Sequence, residues 1–156
     1  MTWAPGRDRI ADLLAAAELE EVEPSGEVGR RLLDDAGRHI ATAATALATA
    51  DLAGAYQLAY DALRKSAASL LAVQGLRATS RGGHVAVQEA VLAQFGSTVR
   101  AFRAFSRIRR ARNSFEYPSP ATPGPAAEDA ADAITVATQA RDAATTILDQ
   151  RVLTPW

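Results

Sequence analysis

Apolar residues recur along this chain at three- and four-residue intervals, and no stretch alternates residue by residue as a half-buried strand does. Ile10, Leu13, Leu14 and Ala17 predict a first helix over about residues 7–21, ended by Glu23-Pro24-Ser25-Gly26, because Pro and Gly stop helices. Val28, Leu32, Leu33, Ala36, Ile40, Ala43, Ala44 and Leu47 predict a second from about Glu27 to Thr49. Asp51 is a good N-cap for a third over about 52–74. Leu52, Tyr56, Ala59, Leu63, Leu70 and Val73 share one of its faces, and Gly75 follows its last turn. A polar connection, Arg77 to Gly83, leads to a fourth helix from near His84 through Val87, Val91, Leu92 and Phe95 to Gly96.

Ser97 or Thr98 is then expected to cap a fifth helix, which carries an arginine cluster to about Glu116. Pro118-Ser119-Pro120-Ala121-Thr122-Pro123-Gly124-Pro125 reads as a stiff exposed loop. A final helix follows over about 126–151, with Ala130, Ile134, Ala137, Ala140, Ile147 and Leu148 facing inward. The pattern predicts an all-α bundle of five to six helices, an up-and-down core preceded by an extra N-terminal helix. It divides into an N-terminal extension, residues 1–25, and a helical domain, residues 26–156, that carries the Pro-rich loop 118–125.

Composition agrees with this and excludes several classes. The 156 residues are 48% hydrophobic, enough for one core, and 36 are alanine, the best helix former. No apolar run approaches the roughly 20 residues of a membrane span, and the start, Met1 to Arg7, does not read as a signal peptide. A soluble, cytoplasmic protein without membrane contact is expected. There is no cysteine for a disulfide or thiolate chemistry, and His39 and His84 stand far apart. No metal site and no cofactor are expected.

The net charge of −1 conceals a segregation. Between Ala62 and Phe115 lie ten cations (Arg64, Lys65, Arg77, Arg81, Arg100, Arg103, Arg107, Arg109, Arg110, Arg112) and one acid, Glu89, a charge of +9 against −10 for the rest. A basic centre points to an anionic partner such as nucleic acid, unless acidic helices pack beside it and cancel the field.

The arginine helix sharpens the question. With Val99 at zero and 100° per residue, Arg110, Arg103, Arg107 and Arg100 fall between about 20° and 100°, a solvated face. Ala111, Phe115, Ile108, Phe105 and Phe102 span about 120° to 300°, the buried face, and within that arc fall Arg112, Glu116 and Arg109. A charged trio in an apolar arc is costly unless it is paired or placed at a wet cleft. Arg112 and Glu116, four apart, can pair directly. Either the trio ties this helix to a neighbour, through Asp61 or Asp34, or Arg109 and Arg112 bind phosphate in a cleft while Glu116 orients them.

The run Arg109-Arg110-Ala111-Arg112-Asn113-Ser114-Phe115-Glu116-Tyr117-Pro118 resembles the signature of the HEPN superfamily (higher eukaryotes and prokaryotes nucleotide-binding). Upstream, Ala59-Tyr60-Asp61-Ala62-Leu63-Arg64-Lys65-Ser66-Ala67, then Gly75-Leu76-Arg77 and Gly83-His84, are similar to such proteins in order and spacing. The likeness spans about residues 28–150 and is to small stand-alone actinobacterial members. It implies a helical bundle, usually a homodimer, that binds RNA or nucleotide and belongs to toxin–antitoxin or defence-type systems with a protein partner. Active members are implied to be metal-independent ribonucleases, with an arginine holding the scissile phosphate and a following histidine moving protons. Arg112, or else Arg109 or Arg110, matches the arginine. No histidine follows residue 84, and Phe115, Glu116 and Tyr117 stand where one is expected.

Three readings follow. The first is a non-catalytic module binding RNA, nucleotide phosphate or a protein partner through Arg109, Arg112, Asn113, Glu116 and Tyr117, with Arg81 and His84 as secondary candidates. Tyr117, Tyr56 or Tyr60 could stack on bases if exposed. The second is a divergent, toxin-like endoribonuclease using Arg112 with Glu116 or Tyr117, although a glutamate paired with arginine is a weak base and tyrosine titrates near 10. The third is a scaffold or interaction bundle in which the arginines only join helices. His84 reads as a capping or surface residue, and His39 as packing or surface.

Overall fold

The two helices at the centre begin at side-chain caps. In the computed structural model, which describes residues 2–156, Ser25 Oγ accepts from the Val28 N–H at 3.1 Å and opens α2, Gly26–Ala48. Asp51 Oδ1 accepts from the Gly54 N–H at 3.0 Å and opens α3, Leu52–Gln74. The short link Thr49–Asp51 makes them antiparallel neighbours. The last long helix, Ala127–Gln150, packs against both. Alanines along the contacts, Ala36, Ala59, Ala67, Ala133, Ala137, Ala140 and Ala144, are buried and let the backbones approach closely.

In chain order the elements are α1 (Arg7–Ala15), β1 (Leu19–Glu21), α2, α3, β2 (Leu76–Ala78), α4 (Gly83–Phe95), α5 (Arg100–Arg103), α6 (Phe105–Glu116) and α7 (Ala127–Gln150). The molecule is an all-α bundle. Helix α3 is its axis: it packs on α2 and α7 along one side and on α4 and α6 along the other. It buries Tyr56, Tyr60, Leu63, Leu70 and Leu71 in a core that also takes Ile10, Leu13 and Leu19 from the N-terminal segment. No helix among the described residues is long and apolar enough to cross a membrane.

Three boundaries differ from the sequence pattern. The first helix stops at Ala15 rather than near residue 21, because the chain turns through Ala17 in the left-handed region (φ 57°). Leu19–Glu21 then pairs antiparallel with Leu76–Ala78, Leu19 opposite Ala78. Three residues are too few to show alternation, so this ribbon has no periodic signature. The expected fifth helix is broken. The Ala104 N–H bonds to the Ala101 carbonyl, a tight turn that separates α5 from α6 while Phe102 and Phe105 both remain fully buried. Nor does Ser97 or Thr98 cap it. Val99 holds the N-cap position without a side-chain bond, and Thr98 Oγ1 donates back to the Phe95 carbonyl.

The turn before α4 is held tightly, which matters for His84. Thr79 Oγ1 donates to the Ala17 carbonyl at 2.6 Å and accepts from the Gly82 N–H at 3.2 Å. A Cβ at Gly82 would lie 2.1 Å from the Glu18 carbonyl oxygen, so only glycine fits against β1 there.

Candidate functional site

Three helices each bring a polar stripe to one place beside α3. On α3, Gln57, Tyr60 and Arg64 follow at i, i+3 and i+7; on α4, His84 and Gln88 at i and i+4; on α6, Arg109 and Arg112 at i and i+3. Arg112 Nε donates to Gln57 Oε1 at 2.5 Å, and its Nη1 donates to Asn113 Oδ1 at 3.1 Å. Arg109 Nε donates to Gln88 Oε1 at 3.0 Å. The Arg112 guanidinium stands 5.6 Å over the ring of buried Tyr60. The Tyr60 hydroxyl shares a 2.8 Å hydrogen bond with His84 Nδ1.

What anchors the two arginines is neutral. Among the described residues, no carboxylate lies within ion-pair distance of Arg109 or Arg112. Both are half-buried. An amide oxygen on Nε fixes the plane of a guanidinium without cancelling its charge, and leaves Nη donors for a bidentate anion. The surroundings register the excess. Burial foremost, then the cations Arg64, Arg112 and Arg109, hold the His84 imidazole below its ordinary pKa against the opposing pull of Asp61. Burial likewise pushes the Tyr60 phenol up.

The predicted site residues therefore divide. Arg109, Arg112, Asn113 and His84 come together. Glu116 does not: it is exposed and makes no ion pair with Arg112 or hydrogen bond to Arg109, because α6 runs past the bundle at its C-terminal end. Tyr117 is 78% exposed beyond that end. Arg81 and Arg110 are exposed, and neither joins the cluster. Tyr56 is buried edge-on against Phe115, ring centres 4.9 Å apart, and Tyr60 is buried, so neither can stack on a base. Neither proposed tie reaches the arginines. Asp34 is exposed, and Asp61 is taken up by Arg64 at 2.5 Å and Lys65 at 4.0 Å, with His39 Nδ1 3.1 Å away but making no hydrogen bond.

Acidic partners cancel only part of the basic segment. Arg64, Lys65, Arg77 and Arg107 meet Asp61, Asp35, Glu20 and Asp132, whereas Arg81, Arg100, Arg103, Arg109, Arg110 and Arg112 meet no carboxylate among the described residues. Gln57 and Gln88 belong to no motif of the sequence. A glutamine four residues after His84, inside the apolar run of α4, is the signal that could have found Gln88. No cluster of three His, Asp or Glu residues that could hold a metal ion forms among the described residues.

No family model matches the chain, and no curated protein or solved structure matches it either.

Proposed function

We propose that the cluster of Arg109, Arg112 and His84 forms a cleft in which the chain, as a HEPN-like, non-catalytic module, binds the phosphate of RNA or of a nucleotide. One observation carries this reading: two half-buried guanidiniums are aimed by neutral amides and face no counter-charge. A structural ion pair has a carboxylate partner, and an uncompensated partly buried cation is a cost that a bound anion offsets. Asn113, which holds Arg112 Nη1, takes the orienting role expected of Glu116. A homodimer bringing a second arginine helix to the cleft, and a cognate protein partner in the cytoplasm, belong to the same reading.

Fluorescence anisotropy of a labelled single-stranded RNA tests it. Binding should weaken steeply with salt. Arg112→Ala, which removes a charge-assisted contact worth about 1.5–3 kcal/mol, should lower affinity roughly tenfold to a hundredfold. Binding that ignores salt, or an Arg112→Ala variant that binds normally but melts lower, would reduce the cluster to a structural tie.

A second reading, an endoribonuclease, is favoured by the position of His84. With Nδ1–H donating to Tyr60 Oη, Nε2 keeps its lone pair, and the lowered pKa makes the neutral imidazole a base beside two arginines. Glu116 and Tyr117 are exposed beyond the arginine cluster, so this reading rests on His84 in their place. Cleavage of RNA in EDTA, lost in His84→Ala, is the result this reading requires; intact RNA after prolonged incubation removes it.

A further inference from the structure

On the opposite side of α6 lies a groove of about 570 Å³, lined by Arg100, Arg103 and Arg107 on one wall and by Asp132, Thr135 and Gln139 of α7 on the other. Arg103 repeats the arrangement of the cleft. Its Nε donates to a neutral oxygen, the Gly96 carbonyl, at 2.8 Å, and leaves Nη donors outward. Arg100 is exposed with no carboxylate of the described residues in ion-pair reach, and Arg107 Nη1 meets Asp132 Oδ2 at 2.9 Å. Three cations against one carboxylate leave this groove positive.

We propose that this groove is a second phosphate subsite, and that the ligand is a single-stranded oligonucleotide crossing α6 rather than a mononucleotide held in the cleft alone. The proposal rests on the phosphate-binding reading of Arg109 and Arg112. Its geometry comes from α6 itself. Around the helix, Arg110 stands about 60° from Arg107 and Arg109 about 160° from it, so Arg110 marks the outward ridge between groove and cleft. Arg110 is exposed and unpaired. A helix with its side chains is about 10–12 Å across, so one phosphate cannot touch both sides. A chain that repeats its phosphate at every nucleotide reaches the groove, the ridge and the cleft in turn. Thr135 and Gln139 add neutral hydrogen-bonding groups suited to sugar or base edges.

Two probes separate this from the cleft reading: a single-stranded RNA of about ten nucleotides, within the size range of single-strand sites, and adenosine 5′-monophosphate. Arg100→Ala with Arg103→Ala should weaken RNA binding about tenfold and reduce the slope of log K against log salt by roughly 1.4, two contacts at about 0.7 each. The same variant should bind the monophosphate as the wild type does. Arg100→Glu, at an exposed position that makes no hydrogen bond, should weaken RNA binding without affecting the fold. Asp132→Asn, which frees Arg107, should tighten it severalfold. RNA binding with unchanged affinity and salt slope in the arginine variants, while Arg112→Ala abolishes it, would overturn the groove and leave the cleft standing. A wild type that binds neither probe would overturn both.

Discussion

Tyr60 and His84 are joined by a 2.8 Å hydrogen bond between the phenol oxygen and Nδ1, and the Arg112 guanidinium stands over the same ring. One buried residue of α3 thus sets both the imidazole of α4 and the arginine of α6. Tyr60→Phe keeps the ring and its cation–π contact but releases His84. It should cost about 0.5–1.5 kcal/mol of stability, the usual net worth of such a bond, and weaken anion binding less than Arg112→Ala does. Thermal melts and a binding titration of the two variants check the order.

His84 should make stability and the proposed phosphate binding depend on pH, in opposite directions. Its pKa is lowered in the fold, whereas the unfolded chain takes up the proton near 6.5. Below that value the unfolded state binds more protons, so stability falls as pH drops from 7 through the unfolded pKa, then levels below the folded one. If phosphate binds beside His84 as proposed, it favours the imidazolium, so its affinity should rise across the same interval. His84→Gln should flatten both dependences. A binding curve already flat in the wild type would place the anion away from His84.

Gln74 and Gln94 exchange two hydrogen bonds, 2.7 and 3.1 Å, with both side chains buried between α3 and α4. Gln74→Leu alone strands the amide of Gln94 and should cost about 1–3 kcal/mol. The double change to leucine should recover much of that, because no buried polar group is left unpaired. Denaturant titrations of the two singles and the double measure the coupling.

Gly82 is pressed against β1, and a Cβ there would sit 2.1 Å from the Glu18 carbonyl. Gly82→Ala should destabilise by about 1–3 kcal/mol, as overpacking does, and should weaken phosphate binding by displacing the turn that places His84. Gly26→Ala, where nothing lies within 4 Å, should do neither. Melting temperatures and monophosphate titrations of both variants decide the point.

The long helices were legible because their signals are periodic and local. Asp51, Gly75 and the apolar stripe of α3 mark that helix without reference to anything distant. The β1–β2 ribbon and the break at Ala104 were not, since each depends on partners far along the chain or on a single tight turn. The inward direction of Arg109 and Arg112 could be read from the helical wheel. Their anchors could not, because Gln57 and Gln88 reach them across 55 and 21 residues of sequence. Glu116 misled for a related reason: spacing of four residues permits a pair with Arg112, but the bundle ends first and leaves the carboxylate in water.

The side-chain Nε–H resonances of the arginines report most directly on whether an anion enters the cleft. In the full chain titrated with adenosine 5′-monophosphate, those of Arg109 and Arg112 should shift together with the His84 ring signals, while that of Arg81, exposed and outside the cluster, stays in place. Saturable shifts confined to these three residues are the expected result. Still resonances at Arg109 and Arg112, or shifts spread evenly over all exposed arginines, would contradict a built phosphate site.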